Sequence, residues 1–296
     1  MPDVRLLSRP QGETTVPIEV FLMVLGAALV HATWNALVKS DGDRLSLIKL
    51  MSTTQVGVSL LFIPFVSVPL PESWPYLVAS SVFNTGYMLM LNRAYGTGDL
   101  SLVYPFARGV APLAVAVVSI TVLGENLSYA NRGAVLLIGL GITSLALTHR
   151  PTSLIDLRPI LFALATGAFI AAYTIVDGLG ARAAGSAHSY MIWLSLVTSL
   201  LIVGCAHWLQ QGRSFPVAQP TRIAGVAAGI MSYGSSWIVI WALTLAPLAL
   251  VSALRETGVV FAVIIGVVVL KEPVSLSRLA SVAMTLFGTT ILKLGR

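Results

Sequence analysis

Charge is scarce in this sequence: Asp, Glu, Lys and Arg make up 10% of the 296 residues, against 56% hydrophobic. A soluble domain carries about 25% charged residues, so a water-exposed surface of ordinary extent is excluded. Cysteine is scarcer still. The single Cys205 rules out an internal disulfide and any thiolate metal cluster, and the four histidines show no paired ligand spacing. No cofactor or metal is expected. Phosphate-cradling loops are also missing. GLGARAAG from residue 178 lacks the GxGxxG spacing and a preceding strand. SLIK at 46–49 matches the Ser-x-x-Lys of acyl enzymes without a companion motif. No nucleophile-base or metal constellation assembles from the remaining residues, so the chain is not read as an enzyme. With no ATPase module, any active transport must be secondary.

What is present is apolar and segmented. Bilayer hydrocarbon requires about 20 mostly apolar residues per helix. Such runs recur at about 17–39, 46–69, 73–95, 100–123, 131–148, 158–177, 188–209, 222–244, 248–270 and 276–293. The expected fold is therefore all-α and integral to a membrane, with ten transmembrane helices joined by short loops such as SDGD and GTGD. Arg5 and Arg9 before the first run suggest a signal peptide, but the run continues through HATWNALVK without a small-residue cleavage pattern and is read as retained. The net charge of +6 resides mostly in loops, where it faces lipid headgroups and not nucleic acid.

The chain repeats itself. Arg108 and Arg255 stand 147 residues apart, and the same spacing pairs Glu125 with Glu272, Ser128 with Ser275, Val135 with Val282 and Gly141 with Gly288. Five helices per half is an odd number, so the second half enters the membrane from the opposite side. The expected organisation is a tail at 1–16, a first five-helix repeat at 17–148, a linker at 149–157 and a second, inverted repeat at 158–294. Transporters built from inverted repeats hold substrate near the midplane, in a central cavity between the halves.

Ionisable groups inside spans are costly, from about 2.5 kcal/mol for Arg, and usually face a partner or a cavity. Arg108 lies in YPFARGVAPL between Pro105 and Pro112, which are expected to loosen its helix. Arg255 has the matching depth, with Glu256 beside it. Adjacent helical residues diverge by about 100°, so these two are not expected to pair neatly. Glu256 either pairs with Arg108 across the two halves or binds a coupling proton. His31, Trp34, Asn35 and Val38 share one face of the first helix, with His31 a second proton-coupling candidate. Asn84, Tyr87, Met88 and Leu91 share a face of the third, and Tyr233, Trp237, Ile240 and Trp241 of the eighth. Tyr104 and Tyr173 complete the aromatic candidates. Asp177 is read as a solvated helix end, and Gly225 with Gly229 as a helix-packing GxxxG.

The HATWNALVK first helix, the YPFARGVAPL fourth helix with its Gly124-Glu125 ending and the LKEP that follows the ninth resemble the drug/metabolite transporter superfamily, specifically its EamA-type members. The resemblance implies helices 1, 3, 4, 6, 8 and 9 around a central cavity, helices 5 and 10 outside it, residence in the inner (cytoplasmic) membrane and both termini in the cytoplasm. The Lys and Arg distribution opposes that orientation: six would lie on the side of the termini and ten on the other. The members resembled include exporters of amino acids and other metabolites.

A site with two arginines, a glutamate, a histidine and aromatic faces suits a small carboxylate or zwitterion, because guanidinium binds carboxylate bidentately and rings accept an ammonium. The expected partners are that small-molecule substrate, the lipid bilayer and a coupling proton, in a monomer or homodimer. Competing readings are a transporter of organic cations, drugs or phosphonates, and a non-transporting membrane scaffold or lipid-handling protein whose polar residues only pack helices.

Overall fold

The computed structural model describes residues 16–37, 44–97, 100–147, 157–211, 219–269, 271 and 275–294. The expected tail at 1–16 is described only at Val16 and the expected linker only at Leu157; Val38, Leu270, Glu272 and Pro273 lie outside the described residues, as does the side chain of Tyr104.

Among the described residues eleven α-helices follow one another: α1 (Ile18–Leu37), α2 (Arg44–Phe62), α3 (Trp74–Thr97), α4 (Leu100–Thr121), α5 (Tyr129–Leu147), α6 (Leu157–Ala183), α7 (Ala187–Leu209), α8 (Gln219–Leu245), α9 (Leu248–Arg255), α10 (Gly258–Val268) and α11 (Leu276–Leu294). Among the described residues six helical stretches are long and apolar enough to cross a membrane, and α9 with α10 forms one of them, Leu248–Val268. Their outer faces carry large apolar side chains, among them Leu22, Leu61, Leu161, Leu200 and Ile223. Such a surface is expected to meet lipid.

Local chemistry marks the helix ends. Gly124 and Gly185 take positive φ just past α4 and α6, the left-handed geometry that a helix C-terminus favours. Lys271, at the position corresponding to Gly124 in the second half, also has positive φ, which is uncommon outside glycine. At the start of α7 the Ser186 hydroxyl accepts from the Ser189 N–H.

One expectation needs correction. While α4 runs over Pro105 and Pro112 as one helix, an interruption falls in the ninth run, expected to be continuous over 248–270. Between α9 and α10 the amides of Glu256, Thr257, Val259 and Val260 donate to Ala253, Leu254, Glu256 and Thr257, three residues back. That tight 3₁₀ pattern replaces the α-ladder for one turn, a geometry frequent where a helix is under strain or serves a function.

Helix ends and helix contacts both recur at the 147-residue spacing. The last residues of α2, α4 and α5 (Phe62, Thr121, Leu147) correspond to those of α7, α10 and α11 (Leu209, Val268, Leu294). α3 packs on α6 and α8 on α1; α2 packs on α8 and α7 on α3; α4 packs on α6, and α9 with α10 on α1. The α5–α11 contact is reciprocal. A Cβ on Gly141 would meet Met284 Cβ at 2.8 Å and the Ser281 carbonyl at 3.5 Å; one on Gly288 would meet Ile138 Cγ1 at 2.7 Å and the Ala134 carbonyl at 3.0 Å. Small residues let membrane helices approach in this way. The Gly225 and Gly229 pair does the same for α8 against Leu50, Met51 and Thr54 of α2. Replacing Gly288 by valine is expected to cost about 1–3 kcal/mol, because backbone and branched side chain both oppose it. Thermal unfolding in detergent checks this, and a midpoint equal to wild type counts against the tight α5–α11 seam.

Candidate functional site

Five segments bring their polar side chains to one place: α1, α3, α4, α6 and the α9–α10 break. Glu256 sits in the break with its carboxylate fully buried. The Arg108 Nε from α4 approaches Glu256 Oε2 at 2.7 Å, and the Arg255 Nε lies 3.8 Å from Oε1. Glu256 therefore pairs chiefly with the arginine of the other half, one of the two outcomes expected. The approach of its own neighbour, which regular helix geometry disfavours, occurs where the backbone leaves the α-ladder.

Arg108 is itself buried, and its Nη1 lies 3.3 Å from His31 Nε2. His31 packs edge-on against Trp34, ring centroids 5.0 Å apart. The Trp34 indole N–H is buried and makes no hydrogen bond within the described structure. Arg255 Nη2 donates to the Tyr173 hydroxyl at 3.2 Å, with the guanidinium 5.9 Å from that ring centroid. Tyr173 in turn meets Tyr87 edge-on at 6.0 Å. Among the described residues, two guanidiniums are in contact with the one Glu256 carboxylate. A buried excess cation in low dielectric favours an anionic group beside it.

Other candidates lie elsewhere. Tyr233 and Trp237 belong to an apolar cluster with Tyr190, Ile192, Leu194 and Ile240. Trp237 meets Phe62 and Tyr233 edge-on and His188 at a tilt, and donates to His188 Nδ1 at 2.8 Å. Trp237 thus faces α2 and α7, whereas Trp241 packs with the other apolar cluster, beside Val239 and Leu243. Asn35 donates to the His31 carbonyl of its own helix at 2.8 Å. Asn84 donates to the Ser80 carbonyl and hydroxyl at 3.1 and 3.2 Å. Among the described residues no three His, Cys, Asp or Glu side chains converge as metal ligands would.

One group contradicts its reading. Asp177 is not a solvated helix end: α6 continues to Ala183, and Asp177 is 6% exposed. Its Oδ1 accepts from the Ser80 hydroxyl of α3. The signal for this is the stretch GLGA that follows Asp177, apolar and small for a further turn before Arg182.

A second polar assembly ties helix ends together. Both carboxylate oxygens of Glu125 accept from the Leu248 N–H, at 3.0 and 3.1 Å. Arg182 lies 3.6 Å from Glu125 and donates to the carbonyls of Leu243 and Ala246 at 3.0 and 3.1 Å.

Comparison with known proteins bears on this architecture. Residues 157–294 match the sequence model of the EamA-like transporter family. No curated protein sequence matches the chain. A solved crystal structure shares its fold, with a TM-score of 0.78 at 20% identity over 95% of this chain and 99% of that one. The chain is a multi-pass membrane protein, and its stretch from α6 to α11 is similar to the EamA-like transporter family, part of the drug/metabolite transporter superfamily.

Proposed function

We propose that the chain is a secondary transporter of small carboxylates and zwitterions, amino acids foremost, working by alternating access between two inverted five-helix halves. In this reading α9 and α10 form one interrupted crossing, making ten crossings in all. α3, α4, α5 and α11, at 24, 22, 19 and 19 residues, have the length of a span of roughly 20 residues. The recurrence of helix ends and contacts at one spacing supports the repeat, and the reciprocal α5–α11 seam is the self-complementary contact that a two-fold relation produces. Substrate would bind where α1, α4, α6 and the break meet, the membrane being a cytoplasmic one.

The observation that carries this reading is the pairing of two buried arginines from corresponding positions with a single carboxylate at a helix interruption. Interrupted helices at the meeting of two repeats are where such transporters bind ligand. The excess guanidinium suits a substrate carboxylate, and Trp34, Tyr87 and Tyr173 offer ring faces beside it.

Purified protein screened for thermal stabilisation against amino acids, phosphonates, nucleosides and organic cations tests this. Amino acids are expected to raise the midpoint, since ligand at about 100 times Kd adds about 2.7 kcal/mol. Arg255→Gln is expected to weaken that binding about ten- to hundredfold, the worth of a charged hydrogen bond of about 1.5–3 kcal/mol. Stabilisation by organic cations alone overturns the assignment of substrate class. No shift from any compound returns the polar residues to a packing role.

A further inference from the structure

We propose that Asp177 is the carboxyl group that takes up and releases a proton in this protein, in place of Glu256 or His31. The argument begins with charge. Both oxygens of Glu256 face guanidiniums, at 2.7 and 3.8 Å, so its negative charge is compensated where it lies. His31 stands against the Arg108 guanidinium at 3.3 Å, and a second positive charge there would be repelled.

Asp177 has the opposite surroundings. It is buried in α6, and its direct partner is the neutral hydroxyl of Ser80, itself bonded to Asn84. Among the described residues the titratable groups that act on it are Tyr190 from α7 and Arg255 from α9; Tyr173 precedes it by one turn on α6. Among the described residues no cation stands within ion-pair distance of it. A carboxylate without a contacting cation in low dielectric is the buried acid that protonation relieves.

Its place beside the central site supplies a use. Tyr173 and Asp177 lie one helical turn apart on one face of α6, roughly 6 Å, and Tyr173 holds Arg255. With Asp177 ionised, its charge offsets Arg255. With Asp177 protonated, the centre keeps one uncompensated guanidinium for a substrate carboxylate. The proton goes onto the carboxylate oxygen with no other bond made or broken. Uptake of proton and substrate anion is therefore favourable together, and by linkage each tightens the other, on the order of tenfold. This last step rests on the transporter reading; the proton site itself does not.

Infrared difference spectra of purified protein, recorded as pH is raised from mildly acidic to alkaline, read the proton directly. The wild type is expected to show a carboxylic C=O band that disappears on titration, absent in Asp177→Asn and retained when Glu256→Gln is combined with Arg108→Gln, which removes both partners of the buried pair. Asn keeps an acceptor for Ser80, and Asp177→Glu, which should restore a shifted band, guards against a variant that merely misfolds. Persistence of the band in Asp177→Asn, its loss in the folded double variant, or no titrating band in wild type overturns the assignment. In liposomes, Asp177→Asn is expected to lose the acceleration of labelled amino-acid exchange by an imposed pH gradient; a retained gradient response also overturns it. Absence of saturable flux in wild type counts against the transporter reading alone, because the infrared titration needs no transport.

Discussion

Replacing Glu256 by glutamine is expected to destabilise the protein by about 3–5 kcal/mol, the usual consequence of removing one partner of a buried ion pair. The reason is what the substitution leaves behind. Arg108 and Arg255 converge on this single carboxylate at 2.7 and 3.8 Å, and neither guanidinium nor carboxylate is meaningfully exposed. Without it two buried cations face each other in a low-dielectric interior. Adding Arg108→Gln to the variant should recover much of the loss, so a double-mutant cycle should return a large favourable coupling between positions 108 and 256. Denaturant or thermal unfolding in detergent measures it. Wild-type stability in Glu256→Gln, or additivity of the two changes, would show that the pair does not hold α4 to the α9–α10 break.

The second large effect lies at the helix ends. Arg182→Met is expected to cost about 3 kcal/mol or more, because two charge-assisted hydrogen bonds to the Leu243 and Ala246 carbonyls vanish, each worth about 1.5–3 kcal/mol. Those carbonyls belong to the end of α8 and the turn before α9. The same arginine neighbours Glu125, whose carboxylate takes the first amide of α9 after a Pro247 that has no N–H to offer. An anion at that position also complements the positive end of the helix dipole. Glu125→Gln keeps an acceptor and loses the charge, so its cost should be smaller, about 1–2 kcal/mol. Thermal midpoints rank the two variants, and Glu125→Gln as the more damaging change would contradict the central role given to Arg182.

Much of the architecture could be read from residue types. The apolar runs announced membrane helices because length and hydropathy alone decide whether a segment suits a bilayer. Arg108 and Arg255 stood out because a guanidinium is costly inside such a run. The break after Arg255 was not legible. The usual marks of an interruption are in α4, where Pro105 and Pro112 sit in an unbroken helix, whereas RETG carries no proline and has the break. Helix continuity there depends on bonds that neighbouring helices make possible. Asp177 was misread for a related reason: a carboxylate near the expected end of a helix is normally solvated, and only the packing of α3 and α7 over that turn buries it.

The aromatic stripes show the same boundary. Periodicity placed Tyr233 and Trp237 together on one face of α8, and they are together, but against Phe62 and His188 and within the cluster of Tyr190. Tyr87 and Tyr173, from different helices, meet each other near Arg255. The sequence by itself determined that this is a membrane protein of apolar helices with a 147-residue echo and two arginines at corresponding depth. Tertiary structure decided which carboxylate those arginines share, which acid is left without a contacting cation and which aromatic rings stand beside them. Composition and period specify how polar a helix face is; which helix covers that face follows from close packing of side chains far apart in the chain.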